Sequence, residues 1–170
     1  MGVPNDSRMQ NLKLSIDYNK YNDIGELSSR DQELVVEARK AANDAYAPYS
    51  NFYVGAAVLL ENGVIVRGSN QENAAYPAGL CAERVAVFAA GAQHPGIKII
   101  SIAITAHPKD SVAPSVAISP CGDCRQVMAE YEHRYEHTIR LIMESGEGSF
   151  IMTDSAASLL PFIFSGKALR

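Results

Sequence analysis

A three-layer α/β domain with one mixed central sheet is the fold the sequence predicts. Three observations carry that expectation: apolar segments of strand length and of helix length follow one another along the chain, its length allows one substantial core, and no internal repeat or low-complexity tract interrupts it. With 170 residues, 47% of them hydrophobic, one core is the expected number. Residues 11–170 are therefore expected to form a single domain. Residues 1–10, a non-periodic mixture containing Pro, Asn, Asp and Ser, are expected to be a loose leader with no role.

The elements follow in order. Leu12, Leu14, Ile16 and Tyr18 alternate with Lys13, Ser15 and Asp17, the period of a half-buried strand, so a short edge strand is expected over 12–18. Ser28 and Ser29 precede Asp31, Gln32 and Glu33 as a helix N-cap precedes a first turn of acids. Leu34, Val35, Ala38, Ala41, Ala42 and Ala45 then recur at helical spacing, predicting a helix over 30–46 that Pro48 ends. Residues 52–60 read as a buried strand, turning at Glu61-Asn62-Gly63 into an antiparallel return over 64–71. A helix over 81–93 stops at Pro95-Gly96. Strand over 98–106, helix over 121–134 and strand over 138–144 come next. Gly146 and Gly148 mark a turn rather than a phosphate cradle, since no Rossmann or P-loop unit surrounds them. A short strand over 150–152 and a brief helix over 156–160, stopped by Pro161, complete the order.

Composition narrows the function. Fifteen Lys and Arg against nineteen Asp and Glu give a net charge of -4, which opposes the basic footprint of a polynucleotide-binding protein. Small substrates are favoured over nucleic acid. No apolar stretch has the length or flanks of a signal peptide or membrane span, and the cysteine count is odd, so a reducing, cytoplasmic setting is expected.

All three cysteines fall in two short segments, Leu80-Cys81-Ala82-Glu83-Arg84 and Pro120-Cys121-Gly122-Asp123-Cys124-Arg125. Cys121 and Cys124 form a Cys-x-x-Cys at a predicted helix start, a spacing that aims two thiolates at one ion. Alone it is shared with zinc ribbons and redox motifs. Cys81, at another predicted helix start, supplies a third thiol. Three protein ligands with the fourth tetrahedral position open is the pattern of a catalytic zinc. The inert alternatives are that His94, His107, His133 or His137 closes the site, or that Cys81 is a buried small residue.

Three thiolates around one Zn2+ leave a formal charge of -1, which calls for compensation from helix N-termini and from an arginine. Arg84 is the favoured thiolate partner, with Arg125 the other arginine within a turn of a ligand. Glu83, two residues from Cys81, is the expected proton carrier, because a carboxylate beside an acidified water can take its proton and hand it to a ring nitrogen or an amine.

These segments resemble those of cytidine deaminases of the short, homotetrameric, three-cysteine form. The likeness extends through Ala45-Tyr46-Ala47-Pro48-Tyr49-Ser50, Phe52 with Val54-Gly55-Ala56-Ala57, Asn70-Gln71-Glu72-Asn73-Ala74-Ala75-Tyr76-Pro77, both cysteine segments with Gln126, and Leu159-Leu160-Pro161 with Phe164. The resemblance implies a cytidine deaminase-like α-β-α fold and one zinc ion per subunit, held by Cys81, Cys121 and Cys124. It implies Glu83 as the catalytic group and active sites shared within a homotetramer. It also implies that Asn70 and Glu72 bind the ribose 3′-hydroxyl, that Phe52 and Ala82 contact the nucleoside, and that Phe164 stacks on cytosine in a neighbouring subunit, with Tyr76 near the same interface. Packing roles for the two phenylalanines and a turn role for Asn70 and Glu72 are the ordinary alternatives.

Three departures from the family pattern stand out. Ser69 and Gln71 replace the usual Cys and Val beside Asn70, and both are expected to alternate away from the substrate. Asp123 replaces the usual alanine between the paired cysteines, adding negative charge to an anionic cluster. The segment through about Glu26 lies outside the usual core, where it would add an edge strand or cover an interface. The expected reaction is hydrolytic deamination of cytidine and 2′-deoxycytidine in pyrimidine salvage. The alternatives are deamination of a cytosine-bearing antibiotic such as blasticidin S, and a non-catalytic zinc-stabilised interaction module. Nucleic-acid editing is disfavoured by the charge and by Cys-Ala-Glu where editors have His-x-Glu.

Overall fold

The computed structural model describes residues 10–108, 118–145 and 148–169. A six-stranded mixed sheet carries helices on both faces. In chain order the elements are β1 (Asn19–Tyr21), α1 (Ser29–Ala42), β2 (Phe52–Leu60), β3 (Ile65–Ser69), α2 (Ala82–Gln93), β4 (Ile99–Pro108), α3 (Gly122–Tyr135), β5 (Arg140–Glu144) and β6 (Phe150–Thr153). The spatial order is β1-β6-β5-β4-β2-β3. The β4–β5 pair is parallel and the other four pairs are antiparallel, α3 providing the crossover.

Period-two alternation divides the strands between two cores. Ala56, Val58 and Leu60 of β2, Ile102 and Ile104 of β4 and Leu141 and Met143 of β5 pack with α2 and α3. The intervening Ala57, Leu59, Ala103 and Ile142 pack with Leu34, Val35 and Ala38 of α1 on the opposite face. Two strand glycines set the helix-to-sheet spacing. A Cβ on Gly55 would lie 2.0 Å from the Ala38 carbonyl oxygen, and one on Gly68 would lie 2.4 Å from the Ala86 nitrogen. Both helices therefore rest directly on backbone.

Local chemistry fixes the boundaries. The Ser28 hydroxyl caps α1 by accepting from the Asp31 N–H at 3.2 Å. Gly63, at φ +84°, makes the β2–β3 turn, and its N–H donates to the Leu60 carbonyl at 2.9 Å. Gly148, at φ +75°, lies between β5 and β6 as expected of a turn, while Gly146 falls outside the described residues.

Several expected boundaries differ. Residues 12–18 are not a strand, and Leu12, Leu14, Ile16 and Tyr18 are all exposed. The edge strand is instead Asn19–Tyr21, with Asn19 opposite Met152 and Tyr21 opposite Phe150. β6 ends at Thr153, so in this antiparallel register residues upstream of Tyr18 extend past its end. Helix α1 stops at Ala42 rather than Tyr46, because Tyr46 is drawn into long-range pairing. Its N–H donates to the Asn70 carbonyl at 3.0 Å, and its carbonyl accepts from the Glu72 N–H at 2.9 Å. The brief helix expected over 156–160 is a single 3-10 turn, Ala157–Leu159. Of the expected leader, residues 1–9 lie outside the described part of the chain.

Candidate active site

Helices α2 and α3 present their N-termini to the same point. Cys81 is the N-cap residue of α2 and Cys121 that of α3, both with extended backbone and neither with a side-chain capping bond. The first-turn N–H groups thus remain directed at the sulfur cluster. Cys124, one turn into α3, is fully buried. The Cys81 and Cys121 Sγ atoms are 3.7 Å apart and those of Cys121 and Cys124 3.4 Å, and all three lie within 4.8 Å of one another. Tetrahedral Zn–S bonds of about 2.3 Å place sulfurs about 3.8 Å apart, so the trio fits zinc. Among the described residues no histidine joins this group. His94 caps the far end of α2, His107 stacks on Tyr53, and His133 and His137 lie at the far end of α3.

Cys81 and Cys124 do not ionise alike. The hydrogen bond from Cys124, and after it the Arg84 guanidinium, lower the Cys81 pKa. The same sulfur–sulfur bond and burial raise that of Cys124. Cys81 is thus the preferred anion of these two.

Cys81 and Cys121 form part of the wall of a cavity of about 650 Å³ between β2, the segment after β3, and the starts of α2 and α3. Glu83, only 4% exposed, is on the cavity wall beside Cys81. Burial, reinforced by the Cys81 charge, raises its pKa. Arg84 holds one guanidinium nitrogen 3.9 Å from Cys81 Sγ and another 3.8 Å from the Asp123 carboxylate. The extra acid of the Cys-Gly-Asp-Cys motif therefore faces a cation. Arg125 behaves differently, its donors going to oxygens of the Ser119-Pro120 segment and of Leu159.

At the other end of the cavity, Glu72 accepts from the Ser50 hydroxyl and from the Tyr49 N–H at 2.9 Å. These bonds, the hydroxyl's foremost, lower its pKa and keep it ionised. Asn70 spans to β2: its Oδ1 accepts from the Val54 N–H at 2.8 Å and its Nδ2 donates to the Phe52 carbonyl at 2.9 Å. Phe52, Asn70 and Glu72 line the same cavity as Cys81 and Glu83. Ser69 turns away to bond the Asp44 carbonyl at 3.2 Å. Gln71 differs from expectation: it contributes to the cavity wall while its amide bonds the Ser69 hydroxyl at 3.1 Å. Ala82, the first residue of α2, is fully buried and is not among the residues lining the cavity. Phe164 is not among the residues lining this cavity. It is 63% exposed, on a separate cleft along α3. Tyr76, 75% exposed, stands at the cavity and meets Tyr49 edge-on, with ring centroids 6.0 Å apart.

Sequence reasoning missed the supporting residues Tyr49, Ser50 and Ser119. Gly68 was legible in principle, since a glycine inside a strand signals a close backbone approach.

Comparison with known proteins agrees with this geometry. A family model described as the cytidine and deoxycytidylate deaminase zinc-binding region matches residues 28–137, a span holding all three cysteines and Glu83. The cytidine deaminase of Sporosarcina psychrophila is 40% identical over 139 residues, covering 81% of this chain and 93% of the relative. That of Halalkalibacterium halodurans is 47% identical over 100 residues, 58% of this chain and 70% of the relative. The crystal structure of cytidine deaminase from Burkholderia pseudomallei has a TM-score of 0.66 at 39% identity, covering 78% of this chain and 97% of its own. The chain belongs to the cytidine and deoxycytidylate deaminase family and is a hydrolase of the cytidine deaminase type. Among the described residues no helix is long and apolar enough to cross a membrane.

Proposed function

We propose that the enzyme deaminates free cytidine and 2′-deoxycytidine hydrolytically, in pyrimidine salvage in the cytoplasm, as a homotetramer with one zinc per subunit. The observation that carries this reading is the buried Glu83 beside a three-cysteine cluster, in one cavity with the ionised Glu72. Cys81, Cys121 and Cys124 would hold zinc, which would supply the Lewis acidity that makes water acidic enough to act as a nucleophile near neutral pH. Glu83 would take a proton from the attacking water as its oxygen bonds to C4, deliver that proton to the ring N3, and then carry the proton of the new C4 hydroxyl to the exocyclic amine, which leaves as ammonia as the C4–N bond breaks and uridine forms. Its burial favours the protonated carboxyl, which suits a group that must both accept and donate.

Glu72 and Asn70 bind the ribose 3′-hydroxyl, the carboxylate accepting its hydrogen bond; Phe52 forms the nucleoside-facing wall, and Ala82 contacts the nucleoside from the start of α2, although its side chain does not line the cavity. Among the described residues lining the cavity Arg84 is the single cation, and it is turned to Cys81 and Asp123. That leaves no counter-charge for a 5′-phosphate among these residues and favours a nucleoside over a nucleotide. Phe164 stacks on cytosine in a neighbouring subunit. Its exposure outside its own cavity, together with exposed Phe162 and Tyr76, supports that sharing.

The test is loss of ultraviolet absorbance on incubating purified, zinc-loaded protein with cytidine, 2′-deoxycytidine, deoxycytidylate or blasticidin S, with and without a zinc chelator. Chelator-sensitive turnover of the two nucleosides is expected. Preference for deoxycytidylate or blasticidin S would overturn the substrate assignment, and no turnover of any of them would favour a zinc-stabilised binding module.

Arg84 offsets the thiolate charge. Arg84→Ala is expected to weaken zinc retention roughly tenfold, the order of one lost charge-assisted hydrogen bond, and to reduce turnover. Chelator competition and steady-state rates report the two effects, and no change in either would remove this role.

A further inference from the structure

Immediately after the second cysteine of the pair, α3 turns two side chains away from the metal cluster. The Arg125 guanidinium folds back over the start of its own helix. Its Nε donates to the Pro120 carbonyl at 2.9 Å, its Nη2 to the Ser119 hydroxyl at 3.0 Å and its Nη1 to the Leu159 carbonyl at 3.0 Å. Gln126 donates to the Phe164 carbonyl at 2.8 Å. Two turns further along α3, the Glu132 carboxylate accepts from the N–H groups of Ile139 and Ala156, each at 2.8 Å, and from the Ser155 hydroxyl. One helix thus holds two of the three cysteines at its start and pins the chain from Ser155 to Phe164 along its length.

We infer that Arg125 is a positioning residue that locks the Ser119-Pro120 approach to Cys121 and the C-terminal segment at Leu159 into one rigid unit with the metal-bearing turn of α3. Its planar fork satisfies three acceptors in three directions, which a single ammonium group cannot reproduce. Pro120, with its fixed φ, carries the constraint directly to Cys121. The segment that presents Phe164 is registered on the same unit through Gln126. The inference rests on the cysteines being zinc ligands, as in the proposed function, but not on the substrate.

The role separates cleanly from charge compensation. If the arginine acted by its charge, lysine would replace it; as a clamp, lysine fails. The test uses full-length zinc-loaded protein and compares Arg125→Lys, Ser119→Ala and Gln126→Ala with wild type. Zinc release is followed into a colorimetric chelator, and amide hydrogen exchange is followed over residues 155–169. Arg125→Lys is expected to release zinc roughly tenfold faster and to raise exchange at Leu159 and Leu160. Ser119→Ala, which removes one acceptor and no charge, is expected to release zinc severalfold faster. Gln126→Ala is expected to raise exchange around Phe164 with zinc release unchanged. Wild-type zinc release and exchange in both Arg125→Lys and Ser119→Ala would overturn the inference. So would faster zinc release in Arg125→Lys without any change in exchange at Leu159 and Leu160. None of these readouts involves a nucleoside, so a wrong substrate assignment would leave them standing.

Discussion

Glu83→Gln is expected to leave zinc bound and to reduce turnover of cytidine by about 10²–10⁴-fold or more, the range general acid–base catalysis supplies. The amide has the shape of the carboxyl but cannot accept the proton. Glu83 is not one of the three clustered ligands, so metal content measured by atomic emission should match wild type. Stability should not fall. Burial raises the pKa of this carboxyl, so its ionised form disfavours the fold above its ordinary titration range, and that penalty disappears as pH falls and the group is protonated. A permanently neutral amide removes the penalty, so the denaturation midpoint near pH 7 should hold or rise. Near-normal turnover would remove Glu83 from the mechanism, and loss of zinc together with activity would make it a metal-supporting residue instead.

Gly55→Ala is the largest stability effect expected of a single methyl group. The added carbon would meet the Ala38 carbonyl oxygen at 2.0 Å and the Ala42 nitrogen at 2.4 Å, both backbone atoms of α1 that no rotamer change can move. Helix and strand must separate, disturbing the packing of Leu34, Val35 and Ala38 against β2, and a cost of about 3 kcal/mol or more follows. Gly166→Ala, whose Cβ would meet nothing within 4 Å, is the matched control and should change stability by less than about 0.5 kcal/mol. Equal denaturant midpoints for the two variants would contradict the contact between α1 and the sheet.

What the sequence made legible is what local pattern encodes. The strand over residues 52–60 was read to its last residue, because its apolar run is bounded by a turn signal and its neighbours on both sides are protein. The three-cysteine cluster was legible because three thiols can be counted and because both helix starts are visible in composition. Errors fell where a distant partner decides the outcome. Tyr46 leaves the helical pattern for Asn70 and Glu72, and residues 12–18 have strand periodicity but, among the described residues, no strand pairs with them. The division of labour between Arg84 and Arg125 was only half visible. Both lie within a turn of a cysteine, and their directions depend on Asp123 in one case and on Leu159, far along the chain, in the other.

The meeting of α2 and α3 at their N-termini also bears on how the molecule is assembled. Cys81 and the Cys121–Cys124 pair are separated by a whole strand, β4, which must dock against β2 before the sulfurs can converge. An ion held by all three therefore binds the assembled sheet better than the open chain, and part of its binding free energy is folding free energy. Zinc in this position would be a thermodynamic latch on the central strand, linking metal supply to the stability of the folded chain even when no substrate is present.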